Sequence, residues 1–191
     1  YIEGISLSEA EKKVYSRIIH AAGDVEYAPI IRISETAVAD ATAALRSGAD
    51  IYTDVEMVRT GINKRKLASF GGAVHCRIQD PEIAAQAKAQ GVTRSLAAMR
   101  SFGAVLTGSV VAIGNAPTAL FEVLRLVREE GVRPACIVGI PVGFVGAADS
   151  KKALAENRLV PYIPVEGTKG GSPIAAAAVN AMLYEIDNSR D

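Results

Sequence analysis

Short runs rich in Val and Ile punctuate the chain, and within them apolar residues follow one another instead of alternating with polar ones. They read IYTDV at 51–55, AVHCRI at 73–78, VVAIG at 110–114, ACIVGI at 135–140 and VPYIPV at 160–165. A strand that is apolar at consecutive positions needs cover on both faces, as in a parallel sheet layered by helices. Helical patterns with marked ends lie between the runs. Residues 8–22 open with Ser8 and carry Glu11 three positions on, a capping box, and they stop before Gly23. Residues 34–47 open with Ser34 and close before Gly48. Residues 81–90 open after Asp80 with Pro81 and close before Gly91. Helices over 94–107, 117–130, 144–157 and 173–186 complete the set. The expected fold is α/β and doubly wound: a mainly parallel sheet of about five strands with helices on both faces, one domain over 1–191.

Composition narrows the function. Lys plus Arg and Asp plus Glu are 21 each, so no whole-molecule field attracts nucleic acid or an anionic membrane. No apolar stretch approaches the roughly 18–20 residues of a membrane span. No signal peptide is visible, and Cys76 and Cys136 sit inside apolar runs as small hydrophobes, so a reducing cytoplasm is expected. The chain opens at Tyr1 and not at Met, so a few native residues are expected ahead of it.

In a doubly wound sheet the ligand sits outside the carboxyl ends of the strands. Three helix starts there carry Gly with Pro or a small polar residue: Gly114-Asn115-Ala116-Pro117-Thr118, Gly139-Ile140-Pro141-Val142-Gly143-Phe144-Val145-Gly146 and Gly170-Gly171-Ser172-Pro173. Asn115 and Ser172 are good N-caps, and each helix start offers free N–H groups and about half a positive charge. Taken together they form a crown of anion donors; taken singly each is an ordinary βα turn. No P-loop Lys accompanies them, which favours several separated carboxylates over one polyphosphate.

His20 stands in the last turn of the first helix, where a helix C-terminus favours an imidazolium suited to general-acid work. The plainer reading is a histidine that only caps carbonyls. His75, inside AVHCRI, reads as a packed or edge-strand residue. No metal-ligand spacing accompanies either histidine. Asp54 and Glu56 end a strand as candidate acid/base carboxylates, or hold Arg59 through an i,i+3 pair. Tyr15, Tyr27, Phe70 and Phe144 read as core aromatics or as the border of a ring-shaped ligand.

Several stretches together resemble the precorrin-8X methylmutase family: RIIHAAGDVEYA at 17–28, DVEMVRTGI at 54–62, GVTRSLAAM at 91–99, GSVVAIGNAPTALF at 108–121, GIPVGFVGAADSKKAL at 139–154 and GGSPIAAAAVNA at 170–181. They run in order over nearly the whole chain. The resemblance implies an isomerase of cobalamin biosynthesis that moves a methyl group from C11 to C12 of a corrinoid, with or without cobalt, and uses no cofactor. It implies His20 as proton donor and acceptor, with Arg17 one helical turn before it. Thr93, Arg94 and Ser95 correspond to the family's T-R-S segment near the substrate, although Thr93 also reads as an N-cap. With the glycine turns, the expected substrate contacts are Arg17, Thr93, Arg94, Ser95, Asn115, Ala116, Thr118, Gly143, Gly171 and Ser172. The resemblance further implies a homodimer with sites near the subunit interface. The chain departs from the family in starting almost at the first helix and in carrying Ala22 where Thr or Cys is usual.

Two other readings compete. Gly139, Gly143 and Gly146 with Glu166 twenty positions on imitate the pattern of a nucleotide-binding oxidoreductase, though with GxxxGxxG spacing. A non-catalytic corrinoid or tetrapyrrole carrier would use the crown without His20.

Overall fold

The five apolar runs become a five-stranded sheet, parallel throughout, in the order β2-β1-β3-β4-β5. The strands are β1 Ile51–Thr53, β2 Val74–His75, β3 Val110–Ile113, β4 Cys136–Gly139 and β5 Tyr162–Pro164. The structure is a computed structural model that describes residues 6–188. Its helices are α1 Glu9–Ala22, α2 Ala37–Arg46, α3 Glu56–Gly61, α4 Lys64–Ala68, α5 Pro81–Gln90, α6 Arg94–Phe102, α7 Pro117–Glu129, α8 Ala147–Glu156 and α9 Ser172–Asn188.

Side chains alternate across the sheet, and this divides the core in two. Ile51, Val110, Ala112, Cys136, Val138 and Ile163 meet α1, α2 and α9 on one face. Tyr52, Val111, Ile113 and Ile137 meet α6, α7 and α8 on the other. Both faces are covered, which is why the strands read as continuous apolar runs. The chain reverses its winding between β1 and β3, so the crevice of this sheet lies at the carboxyl ends of those two strands.

Helix α1 starts as expected: Ser8 Oγ accepts from Glu11 N, and Glu11 Oε2 accepts from Ser8 N at 2.7 Å. Such a cap is worth about 1 kcal/mol. Gly23 ends the helix in the left-handed region at φ 62, where a side chain would be strained.

Other expected boundaries shift for visible reasons. Ser34 does not cap α2, which opens at Ala37 after Thr36. Ser34 pairs with β5 instead, donating from its N to Tyr162 O and accepting from Tyr162 N on its hydroxyl. With Ile31 bridged antiparallel to Val165, residues 30–34 cover the outer edge of β5. The 94–107 helix stops at Phe102, and a 3-10 turn, Gly103–Leu106, follows. The 144–157 helix begins only at Ala147, because Gly146 at φ 80 breaks from helical geometry. The 73–78 run keeps only Val74–His75 as strand, paired on one side alone. Helices α3 and α4 were not expected; at six and five residues they are too short to show a helical period.

Candidate active site

The first glycine turn already holds its anion. Asp54, just past β1 and fully buried, accepts from Gly114 N at 2.9 Å on one oxygen. Its other oxygen accepts from Asn115 N at 2.9 Å and Ala116 N at 2.7 Å. Burial pushes the carboxyl's pKa up, and the three amides oppose it by favouring the ionised form. Asp54 therefore pairs neither with Arg59 nor with solvent; it ties β1 to the start of α7 across the winding reversal. Asn115 is not the N-cap expected of it. Ala116 occupies that position with no side-chain bond, and the carboxylate from β1 serves instead.

The three turns do come together at the carboxyl edge of the sheet. A Cβ on Gly114 would stand 2.6 Å from Ser172 Cα and 2.6 Å from Val58 Cγ2, so only Gly lets these segments meet. Gly171 N donates to Ile140 O at 2.9 Å, and Gly143 N donates to Thr168 O at 3.1 Å. Ser172 is already helical, so Gly171 and not Ser172 stands at the cap of α9.

Thr93 joins this edge from the second face. Its hydroxyl accepts from Leu96 N at 3.2 Å, capping α6, and lies 2.7 Å from the Thr118 hydroxyl in the first turn of α7. Thr93 is thus the N-cap of α6, and it also bridges two helix starts. Arg94 is exposed beside it with no ion pair among the described residues, while Ser95 is buried.

His20 and Arg17 lie on the opposite face, on α1. The Gly23 amide, not the imidazole, caps the His20 carbonyl, at 3.2 Å. The imidazole is exposed and lines a groove of about 560 Å³ with Arg17, Lys13, Tyr184 and Glu185. The Arg17 guanidinium sits over the Tyr184 ring at 5.6 Å, and Lys13 pairs with Glu185 at 2.7 Å. None of the glycine-turn residues lines this groove. The exit of α1 nevertheless touches the third turn: Lys169 Nζ donates to Asp24 Oδ2 at 2.6 Å and to Glu26 Oε2 at 2.8 Å.

The remaining candidates sort out as follows. Glu56 holds Arg59 at 2.7 Å, the i,i+3 pair. That guanidinium draws the Glu56 carboxyl below its ordinary value. His75 Nε2 contacts Asp50 Oδ2 at 2.8 Å on the edge strand, and its ring stacks on Tyr52. Cys136 is buried, but Cys76 is only half-buried, its thiol pushed up to about 11 by desolvation. Tyr15 and Tyr27 are core residues as expected, whereas Phe144 is 95 % exposed and packs in no core, because the left-handed Gly146 delays α8. Glu166 is engaged by Arg32 at 2.8 Å, an ion pair that competes with the ribose role of the nucleotide reading. Lys151 and Lys169, which tie the third turn in place, were not singled out by spacing. A Lys inside an amphipathic pattern gives no sign that it is buried.

The chain as a whole has known counterparts. The family model described as precorrin-8X methylmutase matches residues 2–185. A Sinorhizobium precorrin-8X methylmutase is 48 % identical over 176 residues, 92 % of this chain and 83 % of its own. A cobalt-precorrin-8 methylmutase of Methanocaldococcus jannaschii is 40 % identical over 183 residues, 96 % of this chain and 83 % of its own. The solved precorrin-8x methylmutase of Thermus thermophilus superposes with a TM-score of 0.88 at 36 % identity, over 98 % of this chain and 91 % of its own. On the family match and these identities, the chain belongs to the precorrin-8X methylmutase family.

Proposed function

We propose that this chain is an isomerase of corrin-ring synthesis that moves a methyl group from C11 to C12 of precorrin-8X or cobalt-precorrin-8, giving hydrogenobyrinate or cobyrinate. The observation that carries this reading is His20: an exposed imidazole in a helix's last turn, its carbonyl already capped by Gly23, sharing a groove with Arg17. The migrating carbon leaves one ring position as it joins the other, so the protein supplies no nucleophile and no redox group. A proton given to the macrocycle lowers the barrier and returns to the histidine when the product forms. A placed general acid contributes about 10²–10⁴ in rate.

The acetate and propionate arms of such a macrocycle are separated carboxylates. Arg17, exposed on one side of the sheet, and Arg94, exposed on the other, suit them through charge-assisted bonds. The Gly143 and Gly171–Ser172 turns, at the carboxyl edge of the sheet, suit further arms of the same ligand. Asn115 and Ala116 border the ligand with side chains and not amides, since Asp54 takes their amides, and Thr118 joins them at the start of α7. The enzyme works as a cytoplasmic homodimer, in which a second copy completes the wall around the open groove.

The test is His20→Ala incubated with precorrin-8X and, separately, with its cobalt form, followed by the absorbance change of the macrocycle. Turnover should fall at least a hundredfold while product still binds. Wild-type turnover in this variant would remove the proton-transfer role from His20, and no turnover of either macrocycle by the unaltered chain would sink the reading.

A further inference from the structure

None of the Lys151 side chain reaches solvent, although it ends in an ammonium group. Lys151 lies in α8, five residues after the left-handed Gly146. Its Nζ donates to Lys169 O at 2.6 Å, and among the described residues no carboxylate answers its charge. Among the described residues that carbonyl has no backbone donor. Burial alone pulls the amine down to about 8. An apolar side chain would fill the same space without desolvating a charge, a gain set against the carbonyl left without its donor, so the ammonium contributes little net to the fold.

What Lys151 reaches is the segment on which the site converges. Within residues 168–171, Thr168 O accepts from Gly143 N at 3.1 Å and Gly171 N donates to Ile140 O at 2.9 Å. Gly170 lies so close to the β4 exit that a Cβ there would stand 2.6 Å from Ile140 O. The Lys169 ammonium turns the other way, to Asp24 and Glu26. Asp24 also accepts from Glu26 N at 2.9 Å and follows His20 by four residues. One short segment thus joins the glycine turns to the exit of the His20 helix, and Lys151 grips its middle from beneath.

We propose that Lys151 is a positioning residue: by holding the Lys169 carbonyl it fixes the 168–171 segment, and with it the place of the His20 end of α1 relative to the glycine turns. This rests on the role proposed for His20. A catalytic group displaced by about 1 Å can lose a hundredfold in rate, so a loosened segment should show first in turnover.

The test uses Lys151→Met, which keeps the volume and removes the donor. The melting temperature should hold within a few degrees, kcat should fall about tenfold or more, and KM should stay within about twofold. Amide exchange should quicken at Gly143, Gly171 and Glu26 but not in β3 or β4. Lys169→Met should lower kcat similarly, and the double variant should be no worse than the weaker single one. Wild-type kcat in Lys151→Met overturns the proposal, as does a loss of kcat with unchanged exchange at Gly143 and Gly171. A fall in melting temperature with exchange rising across the sheet overturns it too, marking Lys151 as structural. Exchange and melting need no turnover, so they decide whether Lys151 holds the segment even where His20→Ala proves the histidine idle.

Discussion

The carboxylate of Asp54 and the backbone amide of Ala116 meet at 2.7 Å, and the same carboxylate takes the amides of Gly114 and Asn115. A turn built to receive an anion is filled from within the fold, at the point where the sheet reverses its winding. Asp54→Asn keeps the shape but sets a donor against donors. Leaving buried N–H groups without acceptors costs about 1–3 kcal/mol each. The variant should therefore lose about 3 kcal/mol in urea unfolding, and an unchanged midpoint would contradict the assignment.

Gly114→Ala tests the close approach of two turns. Its new methyl would meet backbone at Ser172 Cα, 2.6 Å away, which cannot swing aside as a flexible side chain can. Overpacking of this kind costs about 1–3 kcal/mol. The expected result is a lower melting temperature together with weaker product binding, because the β3–α7 and α9 turns part. A stable variant with unaltered binding would show that the turns can separate harmlessly.

Acid should expose the role of Glu122. Its buried carboxylate is held by Arg100 at 2.9 Å and by Arg125 at 2.7 Å. Burial alone would raise its pKa; the two guanidinium groups more than offset that and leave it below the ordinary value of 4.5. A lowered folded value means that this stabilisation is present above pH 4.5 and is lost as pH falls through the folded value. Because both arginines are partly exposed, solvent discounts the pair. Glu122→Gln should lose about 2 kcal/mol at pH 7. Between pH 4.5 and 3 its melts should fall less steeply than the wild type's, and parallel curves would refute the assignment.

Phe144 offers a reporter. The chain has no Trp, and Phe144 is 95 % exposed in the loop between Gly143 and Gly146. Phe144→Trp should change stability by no more than about 0.5 kcal/mol, as surface substitutions do. Its emission should be that of a solvated indole and should quench when hydrogenobyrinate is added. Emission indifferent to product would put the ligand away from this loop.

The parallel sheet was legible because a strand covered on both faces shows consecutive apolar residues, as VVAIG at 110–114 does. The α1 boundaries were legible because Ser8, Glu11 and Gly23 act within a few residues of the helix they end. Asp54 was not, since its partner Gly114 stands 60 residues away and no local pattern links a strand-end carboxylate to a distant turn. The delayed start of α8 was hidden for a different reason. GFVGAADSKKAL is a fair helical pattern from Phe144 onward, and only the left-handed Gly146 interrupts it. The family stretches pointed to His20 and to Thr93, but not to the hydroxyl contact between Thr93 and Thr118, which requires two helix starts to be adjacent.

The border strand β2 is two residues long, and at the far border residues 30–34 already occupy the free side of β5. Little bare main chain is left on which a neighbouring molecule could lengthen the sheet, the usual route to fibrous stacking. Copies of this chain that associate must therefore do so mainly through side chains on their helices and loops, where shape and charge can select one geometry.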